Sequence, residues 1–375
     1  MKTETINQKK ILYFIFGLDL GGAEAFIYNV LSKIDTEVYH IDFVLQKKTN
    51  TNIKLLDLCE RKNCKIFVIT PFYKNPMKSK KELITIIDNN DYSIIHYHAN
   101  ALINTIPVEA ALKKNISLII HSHNTSSKKG LLGNSIHKIN RFRYKNKDII
   151  RLACSQSAGE WMYGNDVFTV IDNGINLDDF KYDRKTDIAL RNRYGIKDEI
   201  VLGHIGRFEE QKNHIFLIDI FAQFHQLHKH SKLVLVGNGS LVDEMKKKVQ
   251  DLKLDDAVIF AGPQQDTSNL YNMFDCFVFP SKYEGLPFSL LEAEAIGMPI
   301  VSSDVVPEEM NVTGNINFMS LSNSPKEWAE KILSLVEAED YLSYDSRKAA
   351  YDKMVSSKYN VENTVKELEK IYDGK

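Results

Sequence analysis

The 375-residue sequence predicts an α/β protein of two Rossmann-like domains facing across a cleft, and three observations carry that expectation. Short β-branched runs alternate with amphipathic stretches, the signature of βαβ units and a parallel sheet. The alternation breaks once, at Asn173-Gly174 and the polar stretch 178–187, and then starts again. The length exceeds one ordinary core and suits two domains of roughly 100 to 200 residues each.

In the first half, residues 10–16, 40–45, 65–69, 93–97, 117–121 and 149–154 read as strands with helical segments between them. In the second half, 200–205, 232–236, 257–260, 275–279 and 299–302 read the same way. The expected domains are 1–178 and 179–357, followed by a helix over 358–375. Val361, Val365, Leu368 and Ile371 fall on one face of that helix, which has to dock on something. Ligands of open parallel sheets bind beyond the carboxyl ends of the strands, so a cleft between two such sheets is the default site.

With 43% hydrophobic and 26% charged residues, the composition is that of a soluble globular chain rather than a disordered or fibrous one, and a net charge of -1 names no partner. Apolar runs such as 10–16 fall far short of the roughly 20 residues that cross a bilayer. Residues 1–10 lack the apolar core and small-residue cleavage site of a secretory signal, so a cytoplasmic location is expected. Cys59, Cys64, Cys154 and Cys276 form no C-x-x-C pair, and neither disulfides nor zinc are expected.

The densest chemical signal is Ser281-Lys-Tyr-Glu284-Gly285-Leu286-Pro287-Phe288-Ser289-Leu-Leu-Glu292, between a strand ending at Pro280 and a helix stopping at Gly297-Met-Pro299. With a helix start near Pro287, Glu284 and Gly285 lie in the preceding loop and Glu292 in the early turns. The free N–H groups of such a first turn bind phosphate well. Ser289-x-x-Glu292 also spells a capping box, so Glu292 either serves a ligand or satisfies a backbone donor. Glu284 is either part of the site or a solvated loop acid.

A second signal, Gly203-His-Ile-Gly206-Arg207-Phe-Glu-Glu-Gln-Lys212-Asn213, again sits where a strand gives way to a helix. Gly206 lets backbone pass close to a ligand. Arg207 and Lys212 could both reach one diphosphate, or form a solvated basic pair. Gly21-Gly22-Ala-Glu24 follows the first strand but is not G-x-G-x-x-G, and Gly237-Asn-Gly239 reads as a turn.

His96, His98, His121 and His123 lie near the ends of two strand-like runs. No carboxylate or cysteine completes the set at ligand spacing, and there is no Asp-x-Asp pair of the sort that carries a metal-bound nucleotide sugar, so no metal is expected. A histidine at a strand end can instead hydrogen-bond a sugar hydroxyl, and His123 in His-Ser-His-Asn is the best placed. Between Lys128 and Arg151 lie eight Lys or Arg residues and one acid, Asp148, with Leu131, Leu132, Ile136, Ile139 and Phe142 interleaved. That stretch is either a solvated helix packing its apolar stripe on the core or a patch attracted to anionic lipid headgroups. Nucleic acid would call for more aromatic interleaving and a more basic domain.

Gly206-Arg207 with Gln211-Lys212-Asn213, the Glu284/Glu292 pair and Asn173-Gly174-Ile175 together resemble the family-four retaining glycosyltransferases, whose double-Rossmann fold is called GT-B. The resemblance implies that Glu292 holds the nucleotide ribose and Glu284 the transferring sugar, with Gly285, Leu286 and Phe288 beside the donor. Arg207 and Lys212, approached by Gly206 and Gly22, would hold the diphosphate. His123, or His121 in the other register, would sit near the sugar with Asn124, and Glu308 or Glu309 near the sugar or acceptor. Catalysis would be electrostatic and positional, the leaving phosphate guiding the acceptor hydroxyl onto the same face, with no metal or cofactor beyond the nucleotide sugar.

Gly21-Gly22-Ala-Glu24, His-Ser-His-Asn and the basic helix are similar to bacterial enzymes of capsular or exopolysaccharide synthesis. That similarity implies a UDP-hexose donor and an undecaprenyl-diphosphate-linked saccharide acceptor at the cytoplasmic membrane face. One rival is a sugar-nucleotide epimerase of the same architecture, against which the Glu284/Glu292 pair speaks. Another is a non-catalytic scaffold that keeps the fold.

Overall fold

The computed structural model describes residues 8–48, 51–124, 130–284, 286–338 and 343–375, without the side chain of Leu131. The chain forms two units, Met1–Gly174 with Val361–Lys375, and Ile175–Asn360.

The first unit contains β1 (Lys9–Ile15), β2 (Tyr39–Leu45), β3 (Ile66–Val68), β4 (Ile94–Ala99), β5 (Ser117–Ser122), β6 (Ile150–Ala153) and β7 (Thr169–Val170). They pair in the order β3-β2-β1-β4-β5-β6-β7, every pairing parallel. The second unit contains β8 (Ile200–Ile205), β9 (Ser231–Val236), β10 (Val258–Gly262), β11 (Cys276–Phe279), β12 (Ile300–Ser303) and β13 (Ile316–Met319). Its order is β10-β9-β8-β11-β12-β13, again parallel throughout. Each sheet winds outward from its first strand in one direction and then in the other. The order therefore reverses between β1 and β4 and between β8 and β11, the crevices where such sheets bind ligands.

Helices cover both faces of each sheet, so the central strands are buried on both sides and read as apolar runs instead of alternating ones. In the first unit, Leu12, Phe14, Ile95, Tyr97 and Ile120 pack on one face. The second unit has one core around Val201, Phe277, Leu290 and Leu291 and another around Leu202, Phe221, Val278 and Trp328. Strand edges depart from the sequence expectation by a residue or two; the two-residue β7 is too brief for the pattern to reveal, and β13, whose run Ile-Asn-Phe-Met is interrupted by Asn317 and only partly buried, is absent from the expectation.

The units divide after Gly174 and Asn360 rather than at 178/179 and 357/358. Ile175, Leu177 and Phe180 are already part of the second unit's core, and Ile175 bridges to Asn360. The helix Val361–Tyr372 belongs to the first unit and packs on the helix Gly22–Lys33. It buries Val361, Val365, Leu368 and also Tyr372, whereas Ile371 is only half-buried. Gly174 makes the close approach: a Cβ there would lie 2.5 Å from both the Val361 Cα and the Thr364 hydroxyl.

The helix Gly130–Tyr144 corrects one of the two readings of the basic stretch. It is anchored by His137, which accepts from the Leu102 N–H at 3.0 Å, by Asn140, which donates to the Leu102 carbonyl at 2.8 Å, and by buried Tyr144. Its apolar residues point elsewhere: Leu132, Ile139 and Phe142 are 75%, 66% and 83% exposed. Among the described residues the apolar stripe is therefore not packed on the core. Lys128 and Lys129 lie outside the described residues. Among the described residues no helix is long and apolar enough to cross a membrane.

Candidate active site

The loops after β8 and β11, on either side of the second sheet's reversal point, carry the charged residues singled out in the sequence. After β8 the backbone runs through Gly206 and Arg207 to a short 3-10 turn, Glu210–Lys212. Asn213 adopts the left-handed conformation at φ 57°, starts the helix His214–Leu227 and donates its side-chain amide to the Pro280 carbonyl at 3.1 Å. That bond ties the two loops together. A second tie is the Lys282 N–H donating to the Gln211 carbonyl at 2.8 Å.

Lys212 and Glu284 meet between these loops. The ammonium donates to Glu284 Oε1 at 2.8 Å and lies 4.6 Å from the centre of the Phe279 ring. Gln211 Nε2 donates to Glu284 Oε2 at 3.2 Å and to the Tyr283 carbonyl at 2.9 Å. The Glu284 side chain is 6% exposed and that of Lys212 15%. Burial lowers the Lys212 pKa, Glu284 pulls it back up, and the Arg207 charge lowers it further. Arg207 is exposed, its carbonyl accepting from the Glu209 N–H at 2.7 Å and its guanidinium making no hydrogen bond or ion pair with the described residues. The Arg207 charge thus reaches Lys212, whose own counter-charge is Glu284.

Gly206 is tightly packed. A Cβ on it would lie 2.9 Å from His204 Nε2, and one on Gly237, at φ 138°, would lie 2.0 Å from the Gly206 carbonyl oxygen. Gly237-Asn-Gly239 is therefore more than a turn, since it seats the Gly206–Phe208 backbone, with Phe208 N–H donating to the Asn238 carbonyl at 3.0 Å.

Glu292 is not half of a capping box. The helix Phe288–Ile296 takes Pro287 as its N-cap with no side-chain cap, so Ser289 sits inside it. Glu292 instead accepts from the Tyr271 hydroxyl at 2.6 Å, and Tyr271, wholly buried, has its pKa raised by burial first and Glu292 second. Leu286 and Phe288 are half-buried against the core, and Gly285 lies outside the described residues. After β12, Glu308 and Glu309 are both exposed. Glu309 pairs with Lys358 at 3.5 Å, whereas Glu308 has no side-chain partner among the described residues.

In the first unit, Gly22 begins the helix after β1, and a Cβ there would meet nothing within 4 Å, although one on Gly21 would strike Glu24. Asn124 is exposed, and His121 and His123 lie at the carboxyl end of β5 beside His96 and His98. Nitrogens of His96, His98 and His121 all lie within 4.8 Å of one another. That grouping could hold a metal ion, and the three rings lie within 29° of parallel. The four cysteines are free.

Sequence reading missed Tyr271, Gln211 as a partner of Glu284, and the pairing of His98 with His123. The only advance signals were the Gln in Gln-Lys-Asn and the twice-repeated His-x-His.

Two parallel-sheet Rossmann-like units with this strand order define the GT-B architecture of glycosyltransferases. The Anabaena HepE structure with UDP-glucose superposes with a TM-score of 0.80 at 19% identity, covering 98% of this chain and 100% of that one. The family model "Glycosyl transferases group 1" matches residues 187–353, the span that holds Gly206, Lys212, Glu284 and Glu292. A Bacillus subtilis (strain 168) relative named "Putative glycosyltransferase EpsF" is 30% identical over 339 residues, 87% of each chain. An Escherichia coli relative named UDP-Gal:alpha-D-GlcNAc-diphosphoundecaprenol alpha-1,3-galactosyltransferase is 25% identical over 244 residues, 61% of this chain and 62% of that one. The chain belongs to the group 1 glycosyltransferases.

Proposed function

We propose that the protein is a retaining glycosyltransferase that moves a hexose from a UDP-sugar to a lipid-linked saccharide during capsular or exopolysaccharide synthesis. The observation that carries this reading is the Lys212–Glu284 pair with exposed Arg207 beside it, at the strand-order reversal of the second unit. The donor diphosphate takes Arg207 and Lys212, Glu292 holds the ribose, and Glu284, released from Lys212, holds the transferring sugar. Gly22 leaves room for the phosphates, His123 contacts the sugar, and Glu308, whose side chain has no partner among the described residues, rather than Glu309 serves the sugar or acceptor.

The bond from the sugar's anomeric carbon to the phosphate oxygen breaks with its electron pair going to that oxygen. The acceptor hydroxyl adds on the same face and its proton passes to the departing phosphate. Arg207 and Lys212 neutralise the charge that develops, so positioning and electrostatics supply the catalysis. The reaction needs no metal under this reading.

A UDP-sugar and undecaprenyl-diphosphate acceptor are the substrates in the name of the Escherichia coli relative. The exposed Leu132, Ile139 and Phe142, flanked by Lys138, Arg143 and Lys145, suit the anionic cytoplasmic face of the cell membrane, where such an acceptor is anchored. The test is transfer from a UDP-hexose to a synthetic polyprenyl-diphosphate saccharide in EDTA, with the product's anomeric proton coupling read by NMR. An axial linkage from an axial donor, formed at the same rate with and without EDTA, is expected. An inverted linkage or loss of transfer in EDTA overturns the mechanism.

A further inference from the structure

The histidines of β4 and β5 form an arrangement of which the transfer reading uses one corner. Residues two apart on a strand share a face. His96 accordingly stacks on His98, and His121 on His123, each pair with ring centroids 4.3 Å apart. Between the strands the rings meet edge to edge. His96 Nε2 lies 3.3 Å from His121 Nδ1, and His98 Nδ1 lies 2.9 Å from His123 Nε2, with interplanar angles of 15° and 25°. Two near-coplanar imidazole pairs are thus laid one over the other.

The ring pairs are enclosed. Tyr13 packs 4.7 Å from His98, and Phe26 packs 4.8 Å from His121 and 5.4 Å from His123. The upper pair continues into a hydrogen-bonded chain, His96 Nδ1 to the Tyr372 hydroxyl at 2.9 Å and that hydroxyl to Tyr13 at 2.7 Å. Among the described residues, His98 Nε2 and His123 Nδ1 at the ends of the lower pair, like His121 Nε2 in the upper one, are buried nitrogens without a partner.

A neutral imidazole carries one proton, so the bond between His98 and His123 couples their tautomers. If His98 donates from Nδ1, His123 carries its proton on Nδ1 and offers a donor there. Without a sugar each arrangement leaves one of these two N–H groups without a partner; with a sugar hydroxyl at His123 Nδ1, only the opposite arrangement still buries an orphaned N–H, at His98 Nε2, which is costlier than an unfilled acceptor. Given the reading of His123 as a sugar contact, on which this rests, we propose that His98 is a positioning residue that holds His123 as a neutral Nδ1–H donor to a sugar hydroxyl.

The experiment combines long-range 1H–15N spectra of histidine-labelled protein with kinetics of three variants. His98→Phe keeps the aromatic volume and removes the bond, while His98→Asn places an amide near the lost Nδ1. Wild type with a UDP-sugar bound, the state in which all spectra are compared, should show His123 protonated at Nδ1. His98→Phe should show a mixture of His123 tautomers and at least a tenfold lower kcat with donor KM unchanged, and His98→Asn should recover most of the loss. Wild-type His123 protonated at Nε2, or His98→Phe with unaltered tautomer and kcat, overturns the proposal. If His98→Phe does not fold, His98→Gln, whose amide mimics Nε2 instead, takes its place under the same criteria. His123→Ala separates the two readings: normal transfer in it refutes the sugar contact, whereas impaired transfer in it alone, with His98→Phe normal, refutes only the role of His98.

Discussion

The Lys212 ammonium and the Glu284 carboxylate lie 2.8 Å apart in a pocket that leaves both side chains largely shielded from water. Removing one partner of such a pair strands the other without its counter-charge, a loss of about 3 to 5 kcal/mol in fully buried cases. Lys212→Met and Glu284→Gln should each lower the urea midpoint of the donor-free protein, and the double variant should lose less than the sum. Additive losses would show that the pair is not coupled. In the donor-bound state, Lys212→Met should weaken UDP-sugar binding by about 1.5 to 3 kcal/mol, the range for a charged hydrogen bond.

Tyr271 orients Glu292 through a 2.6 Å hydrogen bond. Tyr271→Phe should therefore lower UDP affinity by about 0.5 to 1.5 kcal/mol with the fold intact, less than the loss in Glu292→Ala. Calorimetric titration with UDP checks both. Unchanged affinity in Tyr271→Phe would mean that Glu292 needs no orientation.

The buried histidines make stability depend on pH. Burial lowers His123 and His204 to about 3 and His214 to about 2, and pushes His96, His98 and His121 well below the usual value. Because the folded pKa lies below the unfolded value of about 6.5, the unfolded chain binds more protons between the two. Stability is thus fully present above about 6.5 and falls as pH drops, by about 1.4 kcal/mol per unit for each such group. The urea midpoint should be lower at pH 5.5 than at pH 7.5, and less so in His204→Phe. An equal or higher midpoint at the lower pH would contradict the neutral, buried state of these rings.

Much of the layout around the second sheet was legible because strand, loop and helix recur in order, which puts Gly206, Lys212 and Glu284 in loops after strands and Glu292 in the helix that follows. What could not be read was geometry set by distant partners. Ser289-x-x-Glu292 and Ser324-x-x-Glu327 are the same local pattern, yet only the second forms a capping box, because Pro287 starts the first helix two residues earlier. Periodicity likewise marked the helix Gly130–Tyr144 as amphipathic without telling which face is anchored. The structure assigns that role to His137, Asn140 and Tyr144.

The exposed stripe of that helix leads to a prediction at membranes. Neutralising Arg141, Arg143 and Lys145 should weaken binding to anionic vesicles by about 1 kcal/mol per charge near the surface. Phe142→Ser should weaken it further, and neither change should alter UDP affinity. Co-sedimentation with vesicles of anionic and of zwitterionic lipid measures this. Equal binding of wild type and variants would remove the membrane role.

The central claim, a nucleotide-sugar donor held by Lys212, Glu284 and Glu292, is tested most directly by the thermal midpoint across a panel of UDP-, GDP-, dTDP- and ADP-sugars. A ligand that binds only the folded state raises that midpoint by mass action. The account predicts a rise selective for UDP-sugars that disappears in Glu292→Ala. No rise with any sugar nucleotide, or a rise that Glu292→Ala leaves untouched, would contradict it.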